Sequence, residues 1–251
     1  MFEIIEEHAE WIVVNKAAGV MAHPKKPGGP VTLWDGLRGL LAYEVANGGQ
    51  VSLINRLDRE TSGLVLVAKT LEAARRFHQA MEERQVAKEY MAITWGWPEE
   101  DEFEVDAPIV RQGERLPCEI YLKRCVHPGG APATTRFRVE QRFEKPGLSS
   151  DGRFSLLRAF PRTGRTHQIR VHLAHAGFPI VGDKLYGPSE RCYLEFIETG
   201  WTPALASRLL LPRHALHSAR MTVSPRGETV VYDWRAPLAA DLAAWLPRPA
   251  V

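Results

Sequence analysis

Between two apolar runs, Val51 to Asn55 and Gly63 to Ala68, lies a short charged connection, Arg56-Leu-Asp58-Arg-Glu-Thr-Ser62. An arginine two residues ahead of an aspartate, in a polar turn entering a Val/Leu strand, offers a carboxylate and a guanidinium to a reacting molecule; the same aspartate could equally serve the turn by bonding nearby backbone amides. A second concentration of chemistry follows later in the chain. From Arg153 to His172 there are five arginines (Arg153, Arg158, Arg162, Arg165, Arg170) and no acid, whereas residues 1 to 50 hold four Lys/Arg against six Asp/Glu. Such a segment suits phosphate, because each phosphate neutralised releases counterions, or it is a solvated surface. His167, His172, His175, His214 and His217 form a third group and admit a metal-hydrolase reading. His172 and His175 stand three apart on a predicted helix, yet no further ligand or catalytic glutamate sits at a recognised spacing. Satisfied structural histidines account for them better, and no metal is expected.

These residues need elements to position them. Trp11 to Asn15 is a β-branched run ending in a Lys-Ala-Ala-Gly turn, which predicts a strand and a loop at Gly19. Thr32 can cap a helix on which Leu33, Trp34, Leu37, Leu40 and Leu41 recur at helical spacing until Asn47-Gly48-Gly49 stops it. Strands are predicted at Val51 to Asn55 and Gly63 to Ala68, flanking the charged turn. A Thr-capped helix over Thr70 to Arg84 follows, with Leu71, Ala74, Phe77 and Met81 on one face. Tyr90 to Trp97, Ile120 to Lys123, Thr134 to Glu140 and Phe154 to Phe160 read as strands, separated by Pro/Gly clusters at 127 to 132 and 145 to 152, the second a candidate surface loop. Arg165 to His175 reads as a helix ended by Gly177, with strands near 215 to 222 and 229 to 234 and a closing helix from Leu238 to Leu246. No internal repeat is evident. Strands interleaved irregularly with helices predict an α+β fold, a mixed and mostly antiparallel sheet with flanking helices, rather than the strict βαβ rhythm of a doubly wound sheet.

Composition sets bounds on function. The 251 residues are 45% hydrophobic and 25% charged, ordinary for a chain that buries its own core. No run approaches the roughly 18 apolar residues of a membrane span, and the acidic start MFEIIEEHAEW lacks a signal-peptide h-region. A cytoplasmic protein without membrane association is expected. Cys118, Cys125 and Cys192 form no CxxC pair and read as incidental thiols. A net charge of +2 permits a nucleic-acid partner without demanding one. The chain carries no Walker loop, GxGxxG or HExxH motif, so no cofactor is expected.

The string Asn55-Arg-Leu-Asp58-Arg-Glu-Thr-Ser-Gly-Leu64 closely resembles the signature of the RluA family of RNA pseudouridine synthases, His-Arg-Leu-Asp-x-x-Thr-Ser-Gly-Leu, with Asn55 in place of histidine. Further matches follow in the family's order. Val14-Asn-Lys-Ala-Ala-Gly19 with His23-Pro24 is similar to its N-terminal element, with Ala17 replacing a proline. Lys88-Glu-Tyr90 matches its Lys-x-Tyr element. Thr163-Gly-Arg-Thr-His-Gln-Ile-Arg-Val-His172, Pro179-Ile-Val-Gly-Asp183, Tyr186-Gly187 and Leu216-His217 match its downstream signatures. The resemblance spans residues 10 to 235, and several ordered long strings are far less open to chance than one short motif.

The resemblance implies a pseudouridine synthase fold with an active-site cleft and an isomerase that flips a uridine out of its stack and rejoins its base to ribose through carbon. It implies Asp58 as the catalytic carboxylate, Tyr90 as the ring against the extruded base, and Arg165 as the guanidinium that keeps the carboxylate ionised, with phosphate binding the alternative for Arg165. Arg56 is implied at the flipping site. Asn55, Thr61, Lys88, Thr166, His167, Gln168 and Arg170 complete the implied substrate-binding set. The partner is RNA, ribosomal or transfer, and the enzyme is expected to act as a monomer. Whether the carboxylate attacks the sugar or assists elimination to a glycal stays open. A non-catalytic RNA-binding module is the rival, suggested by Asn55 and Ala17 and opposed by Asp58, Tyr90 and Arg165. A single catalytic domain over residues 1–251 is expected, without the S4-type RNA-binding domain that family members often carry ahead of it. Residues 188 to 213 are expected to be partly helical and to contact RNA or pack beside the cleft.

Overall fold

The computed structural model describes residues 1–24, 28–148, 152–226 and 230–247. In chain order, strands β1 (Phe2–Glu7) and β2 (Trp11–Lys16) precede helices α1 (Leu33–Leu40) and α2 (Ala42–Ala46), strands β3 (Ser52–Leu53) and β4 (Ser62–Ala68), helix α3 (Leu71–Glu82) and strand β5 (Val86–Trp95). Strands β6 (Glu102–Asp106), β7 (Ile109–Arg111), β8 (Arg124–Val126), β9 (Thr134–Glu144) and β10 (Arg153–Pro161) follow. Helices α4 (Gln168–His175), α5 (Arg191–Thr199) and α6 (Pro203–Leu209), strands β11 (Leu216–Val223) and β12 (Tyr232–Arg235), and helix α7 (Ala240–Trp245) close the chain. The chain forms two compact units, one from Met1–Glu89 with His217–Ala243, the other from Tyr90–Leu216 with the stretch from Ala244 onward.

In the first unit the strands run in the order β1-β2-β4-β11, with β3 also on β4 and β12 on β11. Every pairing is antiparallel except β4 with β11, which match in parallel at Ser62 with His217 and Gly63 with Ser218. Every residue of β4 is buried, so the strand reads as an unbroken apolar run, as expected of one covered on both faces. Gly63 sits at φ +113°, and a Cβ there would meet the Ser218 carbonyl oxygen at 2.2 Å, so only glycine allows the parallel contact. Trp11, Leu64, Leu66, Phe77, Met221 and Trp234 make the core on one face. Burying a side chain such as Phe77 is worth about 2–3 kcal/mol.

Both threonine caps form. Thr32 and Asp35 make a reciprocal capping box on α1, and the Thr70 side chain accepts from Ala73 N on α3. The helix predicted up to Asn47 instead breaks at Leu41 (φ −98°, ψ 27°), dividing α1 from α2. On α3 the buried positions are Ala73, Ala74, Phe77 and Ala80, whereas Leu71, expected on that face, opens the helix at its first position and is 56% exposed.

The second unit is built on an antiparallel sheet, β5-β10-β9-β6, with a separate β7-β8 ribbon. The α+β expectation holds in both units. The strand expected at Ile120 to Lys123 does not form. Only Ile120 is buried, packing with Ala133 and Val171, while Tyr121 and Leu122 sit exposed in a turn, and the ladder is made one step later by Arg124–Val126. Residues 188–213 are partly helical, as α5 and α6, which bury Cys192, Leu205 and Leu209 together. Of the predicted loop 145–152, residues 149–151 lie outside the described residues, as does the start of the strand predicted at 229–234. Among the described residues no helix is long and apolar enough to cross a membrane.

Candidate active site

The Asp58 turn leaves β3 and returns as β4, and the structure closes it from several directions. Ile54 N donates to Leu66 O at 2.9 Å. Asn55 then extends the ladder with its side chain, its Nδ2 donating to Leu64 O at 3.1 Å and its Oδ1 accepting from Leu66 N at 2.8 Å. A buried amide used in this way substitutes for a backbone strand pair and ties both ends of the loop together. Leu57 is buried as an anchor, and Thr61 N donates to Asp58 O at 3.1 Å across the turn. Asp58 itself is half-buried and Arg56 exposed.

A second clamp comes from the end of β2. Gly19 N donates to Arg59 O at 2.8 Å, and Arg59 Nε donates back to Gly19 O at 3.1 Å. Lys16 is fully buried, and its Nζ donates to the carbonyls of Ala17 (2.9 Å), Val20 (3.0 Å) and Arg59 (3.3 Å). An ammonium is costly to bury unless its donors are met, so this one gathers three carbonyls around the turn. Beyond the turn, Ser62 Oγ and His217 Nδ1, both buried, are hydrogen-bonded at 2.9 Å. Lys88, on β5 in the same unit, is half-buried and makes no hydrogen bond or ion pair among the described residues; burial pulls its ammonium down to about 8.

In the second unit Tyr90 is buried on β5, paired in register with Ala159 of β10. The helix predicted from Arg165 begins only at Gln168, because His167 adopts a left-handed conformation (φ 59°) that no helix interior accepts. Arg165 and Thr166 therefore lie exposed on a turn. Arg165 Nε donates to Pro132 O at 3.1 Å. His167 Nδ1 is held by the Tyr186 hydroxyl at 2.8 Å, and that hydroxyl also accepts from Arg124 N at 2.9 Å. Gln168 Oε1 accepts from Thr163 Oγ1 (2.7 Å) and Arg165 N (3.0 Å), while its Nε2 donates to Thr134 O (3.0 Å) and Thr135 Oγ1 (2.9 Å).

Arg170 is buried and binds Asp183 through two nitrogens, at 2.6 and 2.9 Å. Burial alone would raise the Asp183 carboxyl. The Arg170 charge and hydrogen bonds, with His214 and the Tyr186 N–H, instead hold it far below the usual carboxylate range. His172 uses both ring nitrogens, Nε2 with Ala107 O and Nδ1 with Thr135 Oγ1, each at 2.9 Å. A carbonyl only accepts, so Nε2 carries the proton and Nδ1 accepts from the threonine; burial, the leading cause of its lowered pKa, favours the same neutral ring.

The structure thus gathers Asn55, Arg56, Asp58 and Thr61 on one turn, and Arg165, Thr166, His167 and Gln168 on another. Within the expected substrate-binding set the residues differ in what holds them. Asn55, Gln168 and Arg170 are buried and hydrogen-bonded within the protein, so they help build the turns, and Thr61 is buried with them. Lys16, Ser62, Tyr186 and Asp183, to which the sequence reading gave no role, are supports. Lys16 had a signal, a lysine closing an otherwise apolar strand; Tyr186 and Asp183 stood in matched strings whose partners only the fold reveals. Among the described residues no three His, Cys, Asp or Glu side chains converge as a metal-binding group.

A family model described as RNA pseudouridylate synthase matches residues 10–175. The chain is 33% identical over 245 residues to a ribosomal large subunit pseudouridine synthase D of Yersinia pestis, covering 96% of this chain and 68% of the relative. It is 39% identical over 233 residues to an uncharacterized RNA pseudouridine synthase of Chloroflexus aurantiacus, covering 91% and 63%. The solved structure of human RNA pseudouridylate synthase domain containing 4 superposes with a TM-score of 0.71 at 25% identity, covering 96% of this chain and 90% of that one. The human domain containing 1 protein gives 0.70, also at 25% identity, covering 97% and 87%.

Proposed function

The chain belongs to the RNA pseudouridylate synthase family, and from that premise we propose that it isomerises uridine to pseudouridine in ribosomal RNA with Asp58 as the catalytic carboxylate. The relatives named for the large ribosomal subunit support ribosomal over transfer RNA. One observation carries the assignment of Asp58: within the matched region it is a half-buried carboxylate on a turn whose neighbouring side chains Asn55 and Lys16 are committed to holding backbone.

The reaction breaks the bond from ribose C1′ to base N1, turns the base, and forms a bond from C1′ to C5; N1 gains a proton and C5 loses one. Atoms balance without an oxidant or a second substrate. The target base must leave its stack, and Tyr90 offers a ring to receive it, a contact worth about 1–3 kcal/mol. Asp58 acts ionised, either on the sugar carbon or on a sugar proton. Arg165 and Arg56 offer guanidinium groups to the anionic substrate.

Tritium release from RNA labelled at uridine C5 tests this directly. Release by the wild type from unmodified ribosomal RNA, and a loss of at least about a thousandfold in Asp58→Ala with an unchanged melting curve, is the expected result. Release from transfer RNA alone would move the substrate, and no release from either would move the chain to the RNA-binding-module reading.

A further inference from the structure

Several cations in the first unit are answered by acids. Arg76 meets Glu10, Lys69 meets Glu7 and Glu44, and Arg220 meets Glu89 and Asp233. Arg38, exposed at the end of α1, makes no hydrogen bond or ion pair among the described residues. Its nearest acid on the helix, Asp35, is taken up by the cap, where Oδ2 accepts from Thr32 N at 2.9 Å and from Thr32 Oγ1 at 2.7 Å.

Instead the Arg38 guanidinium lies 4.8 Å over the ring of Trp34. The indole is itself fixed, its Nε1 donating to Val51 O at 3.2 Å. His23, exposed, places its ring 6.2 Å from the same indole at an interplanar angle of 35°. Burial and then the Arg56 charge lower the His23 pKa, which keeps the ring neutral at pH 7. The cluster is also tied to the Asp58 turn. Gly19 bonds Arg59 in both directions, while Leu33 N and Trp34 N donate to Met21 O and Ala22 O. Residues 19–22 thus bridge the turn and the first turn of α1, a separation that four residues limit to about 13 Å.

We propose that His23, Trp34 and Arg38 form an accessory RNA-contacting surface beside the Asp58 turn, with Arg38 presenting its guanidinium plane to a base of the strand flanking the target uridine. Unpaired bases stack on aromatic rings and arginine planes, and an arginine already laid on an indole loses less freedom when it does so. Its exposed charge adds a phosphate contact. The inference rests on the reading that the chain acts on RNA, and assigns to that activity residues outside the catalytic turn.

The test uses the full chain and an unmodified transcript of large-subunit ribosomal RNA, measuring Kd by filter binding across salt together with KM and kcat from tritium release. Arg38→Ala should raise Kd and KM about five- to tenfold and reduce the magnitude of the log–log salt slope by about 0.7, with kcat at saturating RNA held within about twofold. Arg38→Lys keeps the charge and should recover the salt slope but not the affinity; His23→Ala, also at an exposed position, should weaken binding about two- to threefold. Unchanged Kd in Arg38→Ala and His23→Ala would overturn the surface. A fall in kcat without a change in KM would also overturn it, making α1 a support of the turn. Full affinity in Arg38→Lys would overturn the stacking role. If the wild type binds the transcript but releases no tritium, the synthase reading fails while the Kd comparison still decides this one.

Discussion

The Asp58 turn and the Arg165 turn each display a charged side chain on a framework of satisfied polar groups, and they are built from different materials. Around Asp58 the supports are side chains bonded to backbone: the Asn55 amide on β4 and the Lys16 ammonium on three carbonyls. Around Arg165 they are side chains bonded largely to one another: Gln168 with Thr163 and Thr135, His167 with Tyr186, and beneath them Arg170 with Asp183. The first holds a loop to strands that exist anyway. The second is a network in which each member depends on another, so losing one strands its partner in a buried, weakly screened place. The contrast predicts that the Asp58 turn loses function before stability, and the Arg165 turn stability before function.

The largest effect that could break this contrast is at the buried ion pair. Arg170→Met leaves Asp183 as an uncompensated buried charge and should cost about 3–5 kcal/mol in urea unfolding, whereas the double variant Arg170→Met/Asp183→Leu should recover part of that loss. The pH dependence carries a defined sign. The Asp183 carboxyl is depressed on folding below its ordinary 3.8. Its contribution is therefore fully present above that unfolded value and drains as pH falls below it toward the folded one. Wild-type stability should decline below about pH 4 more steeply than that of the double variant. Equal acid profiles would show that the pair adds nothing.

Asn55→Ala sharpens the other side. It leaves Leu66 N and Leu64 O without their side-chain partner and should cost about 1–3 kcal/mol, with kcat falling while KM for RNA holds. A stability loss as large as that of Arg170→Met, or no effect on kcat, would erase the distinction between the turns. A smaller effect belongs to Tyr186→Phe, which removes one hydroxyl from His167 and Arg124 N and should cost about 1 kcal/mol in thermal or urea unfolding. Because His167 is held in a left-handed conformation, His167→Gly should lose less than Tyr186→Phe, relief of that backbone strain offsetting part of the lost bond.

Much of this was legible in the chain. Extended runs bounded by Pro/Gly clusters marked β9 and β10, an apolar run marked β4, and Thr32 and Thr70 marked two helix starts, because capping and strand patterning are local and each is read within a few residues. The strands that escaped notice are of another kind. β1 (FEIIEE) lies at the end of the strand order and is largely exposed; β6 alternates Phe103 and Val105 with acids; β7 and β8 are three residues each. Short or edge strands need only a partner, and that partner is distant in sequence. The expectation at Ile120 to Lys123 failed for a related reason: apolar residues in a turn look like a strand until burial separates Ile120 from Tyr121 and Leu122.

The sequence by itself determined the family and the residues that display charge, since Asp58, Arg56 and Arg165 stand in strings whose order is visible without a fold. Only the tertiary structure decided which of their polar neighbours spend their hydrogen bonds on holding the turns. Asn55, Gln168 and Arg170 are polar residues beside candidate catalytic ones, and no local pattern distinguishes a ligand contact from a support. The difference is where each hydrogen bond ends. Asn55 ends on Leu64 and Leu66, nine and eleven residues away, Gln168 on Thr134 and Thr135, more than thirty away, and Arg170 on Asp183. A buried polar group must find its partner wherever folding brings one, so its role is set by the three-dimensional packing and not by its place in the chain.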